Sequence, residues 1–368
     1  MKRLDVATVA DFRSRGQSGP FASSSELFEA RTLLFLGSWL ENAGAARDWP
    51  LHLCCIGEPP ETVVKLAHRC GAKIYRCLPW ENEEMGPTFN KFRAFDIQAE
   101  TPRLLMLDVD TIILQDLSPY AELPDGLCLL PNLINYICLE SWTRVYQDLG
   151  LSVPSERWQS ALCYYGGKHY PGEPHPGYSE PMPPYFNAGV IVAPWDSQLA
   201  QAWPSFAKEL QKRYHGRSGD FRFLLFDEGS LALAVTELRG RGIPFTPLPP
   251  ALHGHVLFYL SGAVTHSQVA LFHATGLFRK RGSTASFDAI DELQLWAESQ
   301  GERRASFPNC GPQQLREFQK LVRQLEGLMQ RHVYPVMNSY DWKKTVLRTL
   351  RRHLLRPLLR LLRRLRQR

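Results

Sequence analysis

The sequence predicts an α/β fold: a Rossmann-like, mostly parallel sheet with flanking helices, plus C-terminal helices. Three observations predict it. Short apolar runs alternate with helical patterns through the first third of the chain, in the order β, α, β, α, β, as a doubly wound sheet requires. One of those runs, Arg103–Leu107, ends in Asp108, and in such sheets ligands bind beyond the carboxyl ends of the strands. Finally, Leu315, Phe318, Val322, Leu325 and Met329 recur at helical spacing within Pro312–Val333, the pattern of an amphipathic helix packed on the body.

The elements follow in order. Leu4–Ala10 is short and β-branched, a first strand. Ser23-Ser24-Ser25-Glu26 offers a capping box ahead of a helix that places Leu27, Ala30, Leu34 and Trp39 together. Leu51–Ile56 is a continuous apolar strand, Glu61–Cys70 a helix ended by Gly71, and Ala72–Leu78 a third strand. Thr88–Ala99 reads as helix and Arg103–Leu107 as a buried strand. The second half is less regular. Tyr164–Tyr185 holds four Gly, six Pro and five Tyr in 22 residues, a composition suited to a long binding loop or lid rather than a core element. Tyr185–Pro194 then reads as strand, Leu224–Val235 as helix and Val269–His273 as a short strand. No internal repeat is evident.

Charge is distributed unevenly. The 368 residues carry 43 Lys+Arg against 37 Asp+Glu, a formal +6. Eleven of the basic residues, and no acid, lie from Lys343 onward, so the body before them carries 32 basic against 37 acidic residues, a net −5. Such a body has no general affinity for polyanions, so a nucleic-acid partner would have to rest on the tail alone. No apolar run approaches the ~18 residues that span a bilayer, and Asp5 and Asp11 fall where a signal peptide would need an apolar stretch. Eight cysteines form no C-x-x-C pair, which excludes zinc-ribbon and thioredoxin-like readings. Cys54, Cys55 and Cys77 sit in strand-like runs, as reduced core thiols of a cytoplasmic protein would.

The sharpest local signal is Leu107-Asp108-Val109-Asp110-Thr111. Two carboxylates directly after a buried strand face open space. Alternate residues there point the same way, so Asp108 and Asp110 can share one divalent ion, which would stabilise a departing diphosphate. A strand-end turn of solvated acids accounts equally well for the local motif. Three later segments bear on the choice. Phe186-Asn187-Ala188-Gly189-Val190 puts an amide and small residues at the head of an apolar strand, where a ligand or backbone can come close. Phe226-Asp227-Glu228-Gly229 opens an apolar helix with two acids, of which Asp227 could serve simply as N-cap. Leu271-Phe272-His273-Ala274-Thr275-Gly276 ends a strand with a potential ligand histidine, followed by Arg279-Lys280-Arg281.

In this order the segments resemble the retaining GT-A glycosyltransferases of family 8, in particular the glycogenin-like and galactinol-synthase-like enzymes. Phe89-Asn90-Lys91-Phe92 with Leu107–Leu114 is similar to their Thr-Lys-Leu and Asp-Ala-Asp-Thr-x-x-Leu segment. Phe186–Val190 resembles their Phe-Asn-(Ser/Ala)-Gly-Val, Asp227-Glu228-Gly229 their Asp-Gln-Gly, and His273-x-x-Gly276-x-x-Arg279 their His-x-x-Gly-x-x-Lys. The resemblance implies sugar transfer from a nucleotide-diphosphate donor, a UDP-sugar, with retention. It implies that Asp108, Asp110 and His273 hold Mn²⁺ or Mg²⁺, that Lys91, Gly276 and Arg279 contact the donor, and that Asn187 and Asp227 line the sugar and acceptor side. Glu228 stands where the family has Gln, exchanging an amide donor for a carboxylate. Arg279 replaces Lys and the Pro-Trp that usually follows is absent. Glycogen priming is not implied.

Rival classes remain. A HAD-type phosphatase also places Asp-x-Asp after a strand, but here Thr111 and Ile112 follow, and Asp220 and Asp227 are spaced poorly for its later acidic pair. A non-catalytic scaffold on a decayed GT-A fold, docked on a membrane, is the other. The expected organisation is a GT-A domain over 1–310, a packing helix and linker over 311–342, and a basic amphipathic tail over 343–368. In that tail Leu347, Leu350, Leu354, Leu358, Leu361 and Leu365 face arginines, with Pro357 as a kink. The pattern suits a helix lying in an anionic membrane surface, which would make the protein peripheral at the inner face of a membrane; a helix docked on the acidic body is the alternative.

Overall fold

In the computed structural model, residues 2–13, 25–80, 87–132, 137–158, 181–214, 227–255, 258–259, 262–274, 279–281, 284–286, 312–333 and 335–336 are described. Most of the Tyr164–Tyr185 loop and the whole basic tail lie outside them, as do Ser23, Ser24 and Gly276.

The apolar runs become strands where expected. β1 (Asp5–Asp11), β2 (Leu51–Ile56), β3 (Lys73–Cys77) and β4 (Arg103–Leu107) pair in parallel, β1 lying between β2 and β4. β5 (Thr111–Ile113) leaves this sheet at once. β6 (Leu127–Pro131), β7 (Phe186–Pro194) and β8 (Phe245–Pro247) complete seven strands in the order β3-β2-β1-β4-β7-β6-β8. The strand expected over Tyr185–Pro194 is therefore present as β7, but it runs antiparallel to both β4 and β6. A strand buried on both faces has the same apolar composition in either direction, so its orientation is not written in its residues.

Side chains alternate between two apolar layers, as the strand period of two requires. Leu105 and Leu107 join the layer beneath helices Ser25–Asn42 and Glu61–Arg69, with Leu33, Trp39 and Val63. Leu104 and Met106 join the opposite layer, with Phe92, Trp203 and Leu231. That second layer is covered by helices Leu199–Tyr214 and Asp227–Gly240 and by Pro87–Phe95. The helix expected over Thr88–Ala99 is this last one; it is of the 3₁₀ kind and ends at Phe95. Phe89 and Phe92, three apart, both meet Trp80, and three residues per turn brings such a pair onto one edge. Trp142, Tyr146, Tyr185 and Tyr214 form a smaller third cluster.

The C-terminal amphipathic segment forms an α-helix over Pro312–Leu328, continued by a π-helical turn, Met329–Val333. Phe318, Leu321, Leu325, Leu328 and Met329 are buried in the first layer. Gly37, in the middle of helix Ser25–Asn42, makes the contact possible: a Cβ there would lie 2.4 Å from the His332 ring. No helix among the described residues is long and apolar enough to cross a membrane. The six cysteines among the described residues are all unbridged.

Candidate active site

The site forms at the carboxyl end of β4. Backbone hydrogen bonds shape it before any side chain is considered. Asp108 N–H donates to the Gly189 carbonyl of β7 (2.8 Å), and Thr111 N–H returns to the Asp108 carbonyl (2.9 Å). The chain thus turns between the two acids rather than continuing extended, so it is this turn, not strand alternation, that brings both carboxylates to one place. β5 then pairs antiparallel with β9 (Leu271–His273), setting Thr111 opposite His273. Ala274 N–H donates to the Asp110 carbonyl (3.0 Å).

This ladder delivers the histidine. His273 Nε2 lies 3.3 Å from Asp110 Oδ1 and 3.7 Å from Asp108 Oδ2. One ligand atom from each of Asp108, Asp110 and His273 falls within 4.8 Å of the others. Two carboxylate oxygens and an imidazole nitrogen at such spacing form a set that can hold a divalent cation. The carboxylates also stay reachable, with 24% of the Asp108 and 14% of the Asp110 side chain exposed.

Electrostatics divide the two acids. Burial raises the Asp108 carboxyl above its usual range, even with Lys91 and His273 opposing. Burial would raise Asp110 too, but the His273 hydrogen bond and the Arg31 guanidinium outweigh it and hold it well below the usual range. Burial would lower His273; its bond to Asp110 prevails and raises it. Behind that ring, His253 Nε2 sits 3.2 Å from His273 Nδ1. His253 is pushed far below the ordinary histidine range, first by burial and then by His273.

Lys91 links this group to the next helix. From the 3₁₀ segment its Nζ reaches Asp108 Oδ1 at 2.9 Å and the Ala188 carbonyl at 3.4 Å, and it pairs with Asp227. The Asp227 carboxylate, at the head of helix Asp227–Gly240, therefore faces the lysine. Lys91 is buried, which would lower its pKa, but Asp108 and Asp227 raise it, so it stays charged.

The Asn187 amide is engaged at both ends. Its Oδ1 accepts from Gly189 N–H (2.9 Å) and its Nδ2 donates to Glu228 Oε1 (3.0 Å). Glu228 Oε2 accepts from Asn132 Nδ2 (2.8 Å) and Tyr185 Oη (3.2 Å). Burial, with Asp227 beside it, pushes the Glu228 carboxyl up to about 7.

The structure thus brings together Lys91, Asp108, Asp110, Asn187, Asp227 and His273. Arg279 opens a strand, β10 (Arg279–Arg281), paired with β11 (Thr284–Ser286). Gly276 lies outside the described residues. Sequence reasoning missed Arg31, whose guanidinium is 3.9 Å from Asp110 Oδ2, and also His253 and Asn132. His253-Gly254-His255 was a visible signal; Arg31 carried none, since a single arginine in a helix is ordinary.

A second group, Asp5, His52 and Glu100, also has ligand-type atoms within 4.8 Å. It lies at the opposite end of the strands. Asp5 already accepts from His52, the N–H groups of Glu100 and Thr101, the Thr101 hydroxyl and Trp195 Nε1. A carboxylate hydrogen-bonded in this way ties the strand starts together.

Residues 57–239 match the family described as Rhodobacterales glycosyltransferase domain. The match takes in Lys91, Asp108, Asp110, Asn187 and Asp227 and stops short of His273, and it supports a glycosyltransferase domain over that stretch. No curated protein matches the sequence. Among solved structures the chain is similar to the apo form of mouse xyloside xylosyltransferase 1, at 14% identity over 74% of this chain and 97% of that one, TM-score 0.40. It is similar to galactosyltransferase LgtC in complex with donor and acceptor sugar analogs, at 15% identity over 79% and 95%, TM-score 0.42. It is also similar to the glycosyltransferase GlyE of Streptococcus pneumoniae TIGR4, at 11% identity over 80% of this chain and 65% of that one, TM-score 0.44.

Proposed function

We propose that this protein is a metal-dependent GT-A glycosyltransferase of the family 8 type, moving a sugar from a nucleotide-diphosphate donor, a UDP-sugar, to a glycan, lipid or small acceptor with retention. The observation that carries the reading is the convergence of Asp108, Asp110 and His273 at the end of β4, with Lys91 bridging that group to Asp227. The family match over residues 57–239 supports the reaction class.

In this reading Asp108, Asp110 and His273 hold Mn²⁺ or Mg²⁺. The bound ion supplies positive charge against the departing diphosphate, and electrostatic stabilisation of that kind is usually the largest catalytic contribution. The protein supplies the rest. Lys91, charged and fixed between two carboxylates, presents a cation at the boundary between diphosphate and sugar. By the resemblance, Gly276 and Arg279 would contact the donor; an arginine can grip a phosphate through two parallel bonds where a lysine offers one point charge. Asp227 and Asn187 line the sugar and acceptor side. Asn187, held at both ends, is rigid, while the Asp227 carboxylate orients acceptor hydroxyls or stabilises positive charge developing on the sugar. Retention needs no protein base if the leaving phosphate oxygen takes the acceptor proton on the face where the new bond forms.

The basic tail, residues 343–368, is proposed to hold the enzyme at an anionic membrane surface, placing it near lipid-linked acceptors.

The test is a screen of nucleotide-sugar donors for Mn²⁺-dependent hydrolysis, followed by NMR of the product anomers. Turnover abolished by EDTA, with the donor's anomeric configuration kept, is expected. Turnover unchanged in EDTA would overturn the metal assignment, and tight metal-dependent donor binding with neither hydrolysis nor transfer would make the protein a scaffold instead.

A further inference from the structure

His253 is fully buried and has no part in the chemistry described so far, yet the backbone takes care to place it. Gly254 N–H donates to the Leu271 carbonyl (2.7 Å) and His273 N–H to the Gly254 carbonyl (2.9 Å), so residues on either side of Phe272 in β9 clamp the segment in register. Gly254 permits the approach: a Cβ there would fall 2.4 Å from Val269 Cγ1 and 2.9 Å from the Leu271 carbonyl oxygen. The outcome is one ring facing another, His253 Nε2 to His273 Nδ1 at 3.2 Å.

A hydrogen bond between two imidazoles has a direction, and the direction matters. If His253 Nε2 donates, the only proton of a neutral His273 sits on Nε2, aimed at Asp110, and no lone pair is left there for a cation. If His273 Nδ1 donates, its Nε2 is free to ligate. We infer that His253 is the positioning residue for His273, accepting the Nδ1 proton at its own Nε2 and so presenting His273 Nε2 as a ligand beside Asp108 and Asp110. The inference rests on the reading of those three residues as a cation site. A ligand histidine normally gives its second N–H to such a partner, which fixes both ring orientation and tautomer. Here the acceptor is uncharged, and accepting at Nε2 puts the His253 proton on Nδ1, an atom that is buried with no hydrogen-bond partner among the described residues. A buried donor left unmade is costly, and an exception of this kind asks for a functional reason.

Two measurements on the full-length protein test it. Long-range ¹H–¹⁵N spectra of histidine-labelled wild type saturated with Mg²⁺ should show His253 neutral and protonated at Nδ1; protonation at Nε2 instead would overturn the inference. Mn²⁺ affinity, read by EPR without any donor, should fall about 10–100-fold in His253→Leu and return close to wild type in His253→Gln, whose amide oxygen can accept the same proton. A folded His253→Leu that binds Mn²⁺ as wild type does would overturn the role of His253 while leaving the cation site standing. Wild type that binds no Mn²⁺ would remove both. Should His253→Leu fail to fold, the wild-type tautomer decides.

Discussion

The backbone of Gly189 lies against the imidazole of His273: a Cβ on Gly189 would fall 2.1 Å from His273 Cε1. The small residue in β7 is what allows the histidine of β9 to stand beside the acids that follow β4. Gly189→Ala should push the ring aside, weakening Mn²⁺ binding and donor hydrolysis together. Overpacking of this kind also costs about 1–3 kcal/mol, read as a lower Tm. Normal Mn²⁺ affinity in this variant would show that His273 is not a ligand.

Asp110→Asn keeps the shape of the side chain and removes the charge that His273 and Arg31 face. Metal-dependent donor turnover should fall on the order of 10²–10³-fold or more, with the far-ultraviolet dichroism unchanged. Full activity in that variant would refute the metal site.

Lys91 is charged and buried between two carboxylates. Lys91→Met leaves Asp108 and Asp227 facing each other without a counter-charge, and breaking a buried pair from one side costs about 3–5 kcal/mol. Urea denaturation should show a lower midpoint, and adding Mn²⁺ should recover part of it by neutralising Asp108. A midpoint equal to wild type without metal would mean the lysine is not the partner of both acids.

Glu228 titrates higher in the folded protein, at about 7, than in the unfolded chain. Folding therefore favours its protonated form. Its contribution to stability is fully present below the unfolded carboxyl pKa of ~4.3 and is lost as pH rises toward about 7. Wild type should lose at most about 3 kcal/mol across that window from this group. The difference in stability between Glu228→Gln and wild type should shift in favour of the variant as pH rises. A difference constant from pH 4 to 8 would contradict the raised pKa.

Removing residues 343–368 should release the protein from anionic liposomes and leave Mn²⁺-dependent hydrolysis intact. Unchanged liposome binding by the shortened chain would refute the membrane role of the tail.

Much of this site is legible in the sequence because its parts are punctuated. Asp108, Asp110 and His273 each close or follow a strand of buried apolar residues, and Asn187 heads another, so burial and chemistry change at a single residue. Lys91 was reached only through resemblance and Asp227 as one of two acids opening a helix, and the ion pair between them was not foreseen, because a helix-opening acid also reads as a cap. The direction of β7 was not legible, since Phe186–Pro194 is apolar on both faces whichever way it runs. Arg31 and His253 escaped for a further reason. Each reaches the site across a long stretch of chain, 79 residues to Asp110 and 20 to His273; the His253-Gly254-His255 pattern was visible, but neither periodicity nor composition says which distant group a side chain meets.

The seating of His332 over Gly37 bears on where this chain can be divided. Helix Pro312–Leu328 not only fills the first apolar layer; Gln324 Nε2 donates to the Leu114 carbonyl just beyond β5 (3.0 Å), and Glu317 accepts from His266 N–H ahead of β9 (2.8 Å). Those two strands carry the turn of the acids and the histidine. A boundary drawn at residue 310 would therefore cut away contacts that brace the β5–β9 ladder, and a chimera or minimal fragment meant to keep the candidate site should be joined after Val333 rather than before Pro312.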